Sequence, residues 1–187
     1  MEPDATARSS FRDAWVGARG GLQPLHDYRL SQVNGANAVF ALECNGVALQ
    51  KTIGVRGDCI GIGYRYCGAF DQSGLSGFES TVDLAMPSCD GPGAHFRYRG
   101  DVAGGLAQPL DLADLTELAL VDDFMGGSVT LRASVPVALR ARPCYTVSQS
   151  EGGFEKVMQS VTLTLAWPLD SAHASIDLSL EIRKHSA

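Results

Sequence analysis

The feature that most constrains this chain is strict two-residue alternation in its last third. Val129, Leu131 and Ala133 alternate with Thr130, Arg132 and Ser134. Val161, Leu163, Leu165 and Trp167 alternate with Thr162, Thr164 and Ala166, and Ile176, Leu178, Leu180 and Ile182 with Ser175, Asp177, Ser179 and Glu181. Side chains on a strand point alternately to its two faces, so this pattern predicts strands with one face on a core and one in water. Sheets with one wet face are usually antiparallel. Ala38 to Cys44 alternates likewise, and Val47 to Val55 and Asp58 to Tyr66 are candidate strands, the first of them joined to Ala38 to Cys44 by an Asn45-Gly46 hairpin signal. Phe78 to Met86 and Ala94 to Arg99 are further strand candidates. About ten such strands predict an all-β fold, a two-sheet antiparallel β-sandwich.

Residues 1–187 read as a single β-sandwich domain, with 1–25 as an entry segment. Ser10 stands three residues before Asp13, which predicts a short capped helical turn there. Leu110, Leu112 and Leu115 suggest a second helical turn within Leu106 to Thr116. A chain of 187 residues, with 21 Gly and 8 Pro, suits one core made of many short elements joined by turns. Its net charge of −6 argues against nucleic acid or an anionic membrane surface as partner. No apolar run approaches the ~18 residues of a membrane span. The segment Met1 to Arg8 lacks the basic start and apolar stretch of a secretory signal, so the expected location is cytoplasmic. Cys44, Cys59, Cys67, Cys89 and Cys144 form no zinc-type spacing, and the four histidines are scattered. Buried reduced thiols are expected, with no metal and no cofactor.

The segment Tyr145-Thr-Val-Ser-Gln-Ser-Glu-Gly-Gly-Phe-Glu155 carries five hydrogen-bonding side chains, at Ser148, Gln149, Ser150, Glu151 and Glu155. That is more than a connection needs, and it reads as a polar loop displayed at the rim of the sheets. Together with Pro143-Cys144 before it, and Gln159 and Trp167-Pro-Leu169 after it, this run resembles the C-terminal β-sandwich domain of family 57 glycoside hydrolases. These are the α-amylase and 4-α-glucanotransferase type enzymes. The carriers are the Thr-Val-Ser-Gln-Ser-Glu core at Thr146 to Glu151 and the Gly-Phe-Glu at Gly153 to Glu155. Arg8 to Trp15 is similar to the family's entry segment, with Ala14 in place of its His. Leu118 to Gly127 is similar to the strand and turn before the motif, and Met158 stands where relatives have Tyr.

The resemblance implies a sandwich similar to the galactose mutarotase-like supersandwich. It also implies that the catalytic acid pair resides in a separate N-terminal barrel, for which this chain has no room. The chain reads as a separately encoded domain rather than a fragment, with no catalysis of its own and no catalytic residue. The expected role is accessory: binding an α-glucan or oligosaccharide, or docking onto a catalytic barrel domain. The residues expected to bind carbohydrate or fix the loop are Tyr145, Ser148, Gln149, Ser150, Glu151, Phe154, Glu155 and Gln159.

Other readings stand beside these. Glu151 and Glu155 form either a glycosidase-type carboxylate pair or simple acceptors for loop backbone. Asp122-Asp123 is either a calcium ligand pair or a solvated strand end; neighbouring strand residues point to opposite faces, which favours the latter. Tyr64 and Tyr66 share a strand face, as an exposed aromatic stripe or as core, and the alternation assigns Trp167 to the core. A purely structural, protein-interacting sandwich is one rival function. A mutarotase-like epimerase is another; it requires His26 or His95 to converge with Glu151 or Glu155 as acid and base.

Overall fold

The computed structural model describes residues 10–68, 73–150, 153–170 and 173–185. The elements are β1 (Arg12–Gly17), β2 (Leu22–Leu25), β3 (Arg29–Asn34), β4 (Asn37–Cys44), β5 (Val47–Arg56), β6 (Cys59–Gly68) and β7 (Leu75–Leu84). They continue with β8 (Ala94–Tyr98), β9 (Asp101–Gly105), β10 (Leu110–Asp122), β11 (Gly127–Ser150), β12 (Gly153–Pro168) and β13 (Ser175–Lys184). Every pairing among the described residues is antiparallel. Among the described residues neither expected helical turn forms. Ser10 and Phe11 form a turn that leads directly into β1, and Leu110 already lies in β10. Strand pairing overrides the local capping signal: Asp13 pairs with Ser80 on one side and Leu25 on the other.

The two layers are one hydrogen-bonded surface folded over itself. The path β2-β1-β7-β12-β11-β13-β6-β5-β4-β3 is continuous, with β10, β8 and β9 branching from β11. The fold-over occurs along β11, which is 24 residues long. Its first part, Gly127 to Ala133, pairs with β13; its second, from Ala138, pairs with β12. β10 follows it through the bend, with register shifts between Leu112 and Leu115 and between Leu115 and Glu117. Such bulges bend a strand and increase its twist. β11 and β10 are therefore shared by both layers, and β1 and β7 face β5 and β6 across the core.

That core is dominated by rings. From one layer, Trp15 and Phe78 meet edge-on at 5.1 Å, and Phe78 and Trp167 pack at a tilt at 5.1 Å. Tyr64 reaches Trp167 at 5.5 Å and Tyr66 reaches Trp15 at 5.8 Å from the other. Each such pair contributes roughly 0.5–1.5 kcal/mol beyond the area it buries. Trp167 is thus core, as its alternation predicts, and Tyr64 and Tyr66 are core rather than a surface stripe.

Candidate functional site

The segment expected to be a rim loop is the outer half of a long hairpin. Ser148 opposes Glu155, Gln149 opposes Phe154 and Ser150 opposes Gly153. Only residues 151–152 separate the strands, and Gly153 has φ of +119°, a conformation that glycine adopts readily. β12 pairs with β7 only from Val161 onward, and β10 pairs with β11 only as far as Ala141. Among the described residues no third strand accompanies the hairpin beyond those points. A two-stranded arm therefore projects from the body. An isolated hairpin of this kind is marginal in water.

Its two faces differ. Directly opposed residues share a face. Tyr145, Val147 and Gln149 continue the side on which Leu139 and Ala141 are buried, and their partners there are Met158, Lys156 and Phe154. The core side of the sheet thus runs out of the body as an exposed strip. Met158 is buried and Tyr145 packs against the core, whereas Val147 is 48% and Phe154 80% exposed. The Lys156 ammonium stands 3.9 Å from the Tyr145 ring centroid, within cation–π range. The other face carries Thr146, Ser148, Glu155 and Val157.

The change of side is made at Gln159. Cys144 opposes Ser160 and Tyr145 opposes Met158, so Gln159 is the extra residue of a bulge. Of the residues expected at the site, Tyr145, Ser148, Gln149, Phe154, Glu155 and Gln159 lie on this arm or at its root. Ser150 occupies the last paired position of β11, and Glu151 lies outside the described residues.

A second polar constellation gave no motif in the sequence. The Asp13 carboxylate, fully buried, accepts from Lys51 Nζ and from the Tyr28 hydroxyl at 2.6 Å each, and from the Tyr64 hydroxyl at 2.8 Å. Tyr64 also shares a 2.8 Å hydrogen bond with Ser80, and Lys51 donates to the Phe11 carbonyl at 2.6 Å. Burial, reinforced by the Asp13 charge, pushes both the Tyr28 and Tyr64 hydroxyls well up, so they remain donors. The legible signal was Lys51, a charged residue in core register after Val47 and Leu49. Because its donors and acceptors satisfy one another across the two layers, this cluster is a clamp.

The remaining candidates sort as follows. Asp122 is buried and ties the β8 approach to the β10–β11 turn. It accepts from Ser88 N and Oγ at 2.9 and 2.8 Å and from Met125 N at 3.0 Å. Burial opposes its ionisation, yet these hydrogen bonds hold its carboxyl below the ordinary value. Asp123 is exposed beside His95. Asp122 and Asp123 thus part to different environments, and Asp122 is a buried anchor rather than a solvated end. Among the described residues no group of three or more His, Cys, Asp and Glu side chains is placed to hold a metal ion. His26 lines a cleft of about 650 Å³ beside β1 and β2, while the His95 ring nitrogen lies 3.3 Å from the Gly93 carbonyl, so the two histidines serve different surroundings.

The outer face of β4, β5, β6 and β13 holds a trough of about 570 Å³, continuous through Gln50 and Arg65 with a groove of about 960 Å³. Gly54, Gly61 and Gly63 form its floor. A Cβ on Gly54 would collide with Asn37 Oδ1, and one on Gly63 would lie 2.9 Å from Asp177 Oδ1. At Gly61 a Cβ would meet nothing within 4 Å. Arg65 donates to both carboxylate oxygens of Asp177 at 3.0 and 3.1 Å along one wall.

Fold and arm together define a folded-over, all-β supersandwich with a projecting hairpin. The chain belongs to the family of α-amylase/4-α-glucanotransferase C-terminal domains, whose model matches residues 1–180. Among solved structures it is similar to the 4-α-glucanotransferase of Thermococcus litoralis, with a TM-score of 0.67 and 17% identity. That match covers 98% of this chain and 28% of that one, so this chain spans little more than a quarter of the larger protein. An aldose 1-epimerase-like protein of Escherichia coli K12 shares the fold, with a TM-score of 0.54 and 9% identity over 95% of this chain and 80% of that one. So does the Slr1438 protein of Synechocystis sp. PCC 6803, with a TM-score of 0.54 and 14% identity over 84% and 66%. No curated protein sequence matches. No helix among the described residues is long and apolar enough to cross a membrane.

Proposed function

We propose that this chain is an accessory domain of a family 57-type α-glucan-processing enzyme, a single folding unit acting in the cytoplasm. It docks on the catalytic barrel through the β11–β12 arm and leaves reaction chemistry to that barrel. The observation that carries this reading is the arm itself: a hairpin that no other strand flanks among the described residues, exposing Val147 and Phe154 on one face and Val157 on the other. Unpaired strand edges and contiguous apolar surface favour association. The family match and the small share of the glucanotransferase covered by this chain make the rest of such an enzyme the natural partner.

Sedimentation of the full chain mixed with the catalytic barrel polypeptide encoded in the same genome tests the reading. A complex is expected, and replacing residues 146–157 by a Gly-Ser turn is expected to abolish it while the body stays folded. Equal binding by the armless variant would refute the proposal.

A second reading, direct binding of an α-glucan, is favoured by the glycine-floored trough. Asn37, Gln50, Thr52, Arg65, Asp177 and Ser179 line it with amide, hydroxyl and charged groups suited to sugar hydroxyls. Open space above Gly61 leaves its floor accessible. Calorimetric titration with maltoheptaose should show heat that Gly61→Val removes; absence of heat at millimolar sugar rejects it.

A further inference from the structure

We infer that the arm engages its partner through one face only, the continuation of the core side of the sheet. The receiving surface is an apolar depression edged by carboxylates on the catalytic polypeptide. This rests on the reading that the arm docks, and it specifies how.

The bulge at Gln159 is the first ground. It turns Phe154, Lys156 and Met158 onto the side occupied by Tyr145 and Val147. Without it, Val157 and Glu155 would continue the buried alternation of Val161, Leu163 and Leu165, because a one-residue shift exchanges the faces of a strand. The chain thus places its most exposed arm ring in line with its own core, and beyond the buried Met158 the strip through Phe154 continues the core face with no cover among the described residues.

The second ground is charge. Of the six residues on that face, only Lys156 is charged, and it is held over the Tyr145 ring. Glu155 stands on the opposite face with Ser148. A partner covering the core-side face meets an aromatic anchor, a valine and one cation, so carboxylates belong at the edge of the site that receives them. A protein is favoured over a glucan because the strip includes aliphatic Val147 beside Phe154, while Thr146, Ser148 and Glu155 lie on the other face.

The test places benzoylphenylalanine at Phe154 or Val147 on one face, or at Ser148 on the other, in the full chain within the producing organism. Products of photolysis are identified by mass spectrometry. Core-side positions are expected to cross-link to a polypeptide bearing a glucan-processing catalytic barrel, and Ser148 is not. With purified proteins, Phe154→Ser and Lys156→Glu should each weaken the complex about ten-fold or more at unchanged Tm, whereas Ser148→Ala leaves it unaltered. For Lys156 the loss should shrink with added salt. Cross-linking from Ser148 alone would overturn the face assignment and leave docking standing. Cross-links only to a second copy of this chain, or arm resonances shifted by maltoheptaose with no protein complex formed, would overturn both.

Discussion

The clamp between β1 and β5 and the arm of β11–β12 treat charge and apolar surface in opposite ways. At the clamp, Asp13 and Lys51 are withdrawn from water and bonded to each other, to the Tyr28 and Tyr64 hydroxyls and to the Phe11 carbonyl. On the arm, Phe154 and Val147 are left in water while Lys156 rests on a ring at the surface. Burial of a charge is tolerable only where its hydrogen bonds are complete. Exposure of a large ring is tolerable only where little else depends on it. The clamp is therefore a place where substitution should unfold the protein, and the arm one where substitution should leave the fold intact and disturb association.

The sharpest way to break that contrast is Lys51→Ala. It strands the Asp13 carboxylate, and urea unfolding should register a loss of about 3–5 kcal/mol. The pair Asp13→Leu with Lys51→Met should recover much of this, because an apolar replacement removes both desolvation costs. Loss at Lys51 comparable to an exposed arm substitution would show that the clamp is not what joins the layers. Met158→Ala ranks next. It empties a buried site at the root of the arm and should cost about 2 kcal/mol or more, the usual cost of emptying a methionine site. Deletion of Gln159 removes only the bulge, so Met158 still opposes Tyr145 and Phe154 keeps its face, and the complex should persist.

A third test concerns Asp122, which anchors a turn whose tip, Phe124, is 85% exposed like the end of the arm. Asp122→Ala leaves the part-buried donors of Ser88 and Met125 unmet and should cost about 1–3 kcal/mol. The folded carboxyl is held below its ordinary value, so the unfolded chain takes up the proton first as pH falls. The stabilisation is complete above about pH 4–5 and declines as pH falls toward the depressed folded value, a slope that Asp122→Asn should flatten. The smallest effect belongs to Phe154→Ser, expected within about 0.5 kcal/mol of the parent in unfolding experiments. A larger loss would mean that the ring packs on the body, and the contrast between arm and clamp would fail.

Much of the sandwich was legible because alternation is a local property with a direct physical reading. The face carrying Leu163, Leu165 and Trp167 is buried as its period demands. The helical turn expected from Ser10 and Asp13 was not realised, since capping is a weak local preference and strand pairing on both sides of β1 outweighs it. Asp13 itself was read as a cap partner and is instead the buried acceptor of three side chains. Nothing within its own segment distinguishes the two, because its partners lie up to 51 residues away. The arm was legible as a polar, glycine-interrupted insert, but its strands were hidden by the very residues that mark turns.

By itself, then, the order of apolar and polar residues determined that this chain forms antiparallel strands with one dry face, and that one hairpin turns at Asn45-Gly46. Which charges meet across the layers, where β11 passes from one layer to the other, and which side of the arm carries Phe154 were decided only in three dimensions. Those outcomes depend on register between distant strands, and the bulge at Gln159 puts the sequence alternation beyond it one residue out of step with that before it.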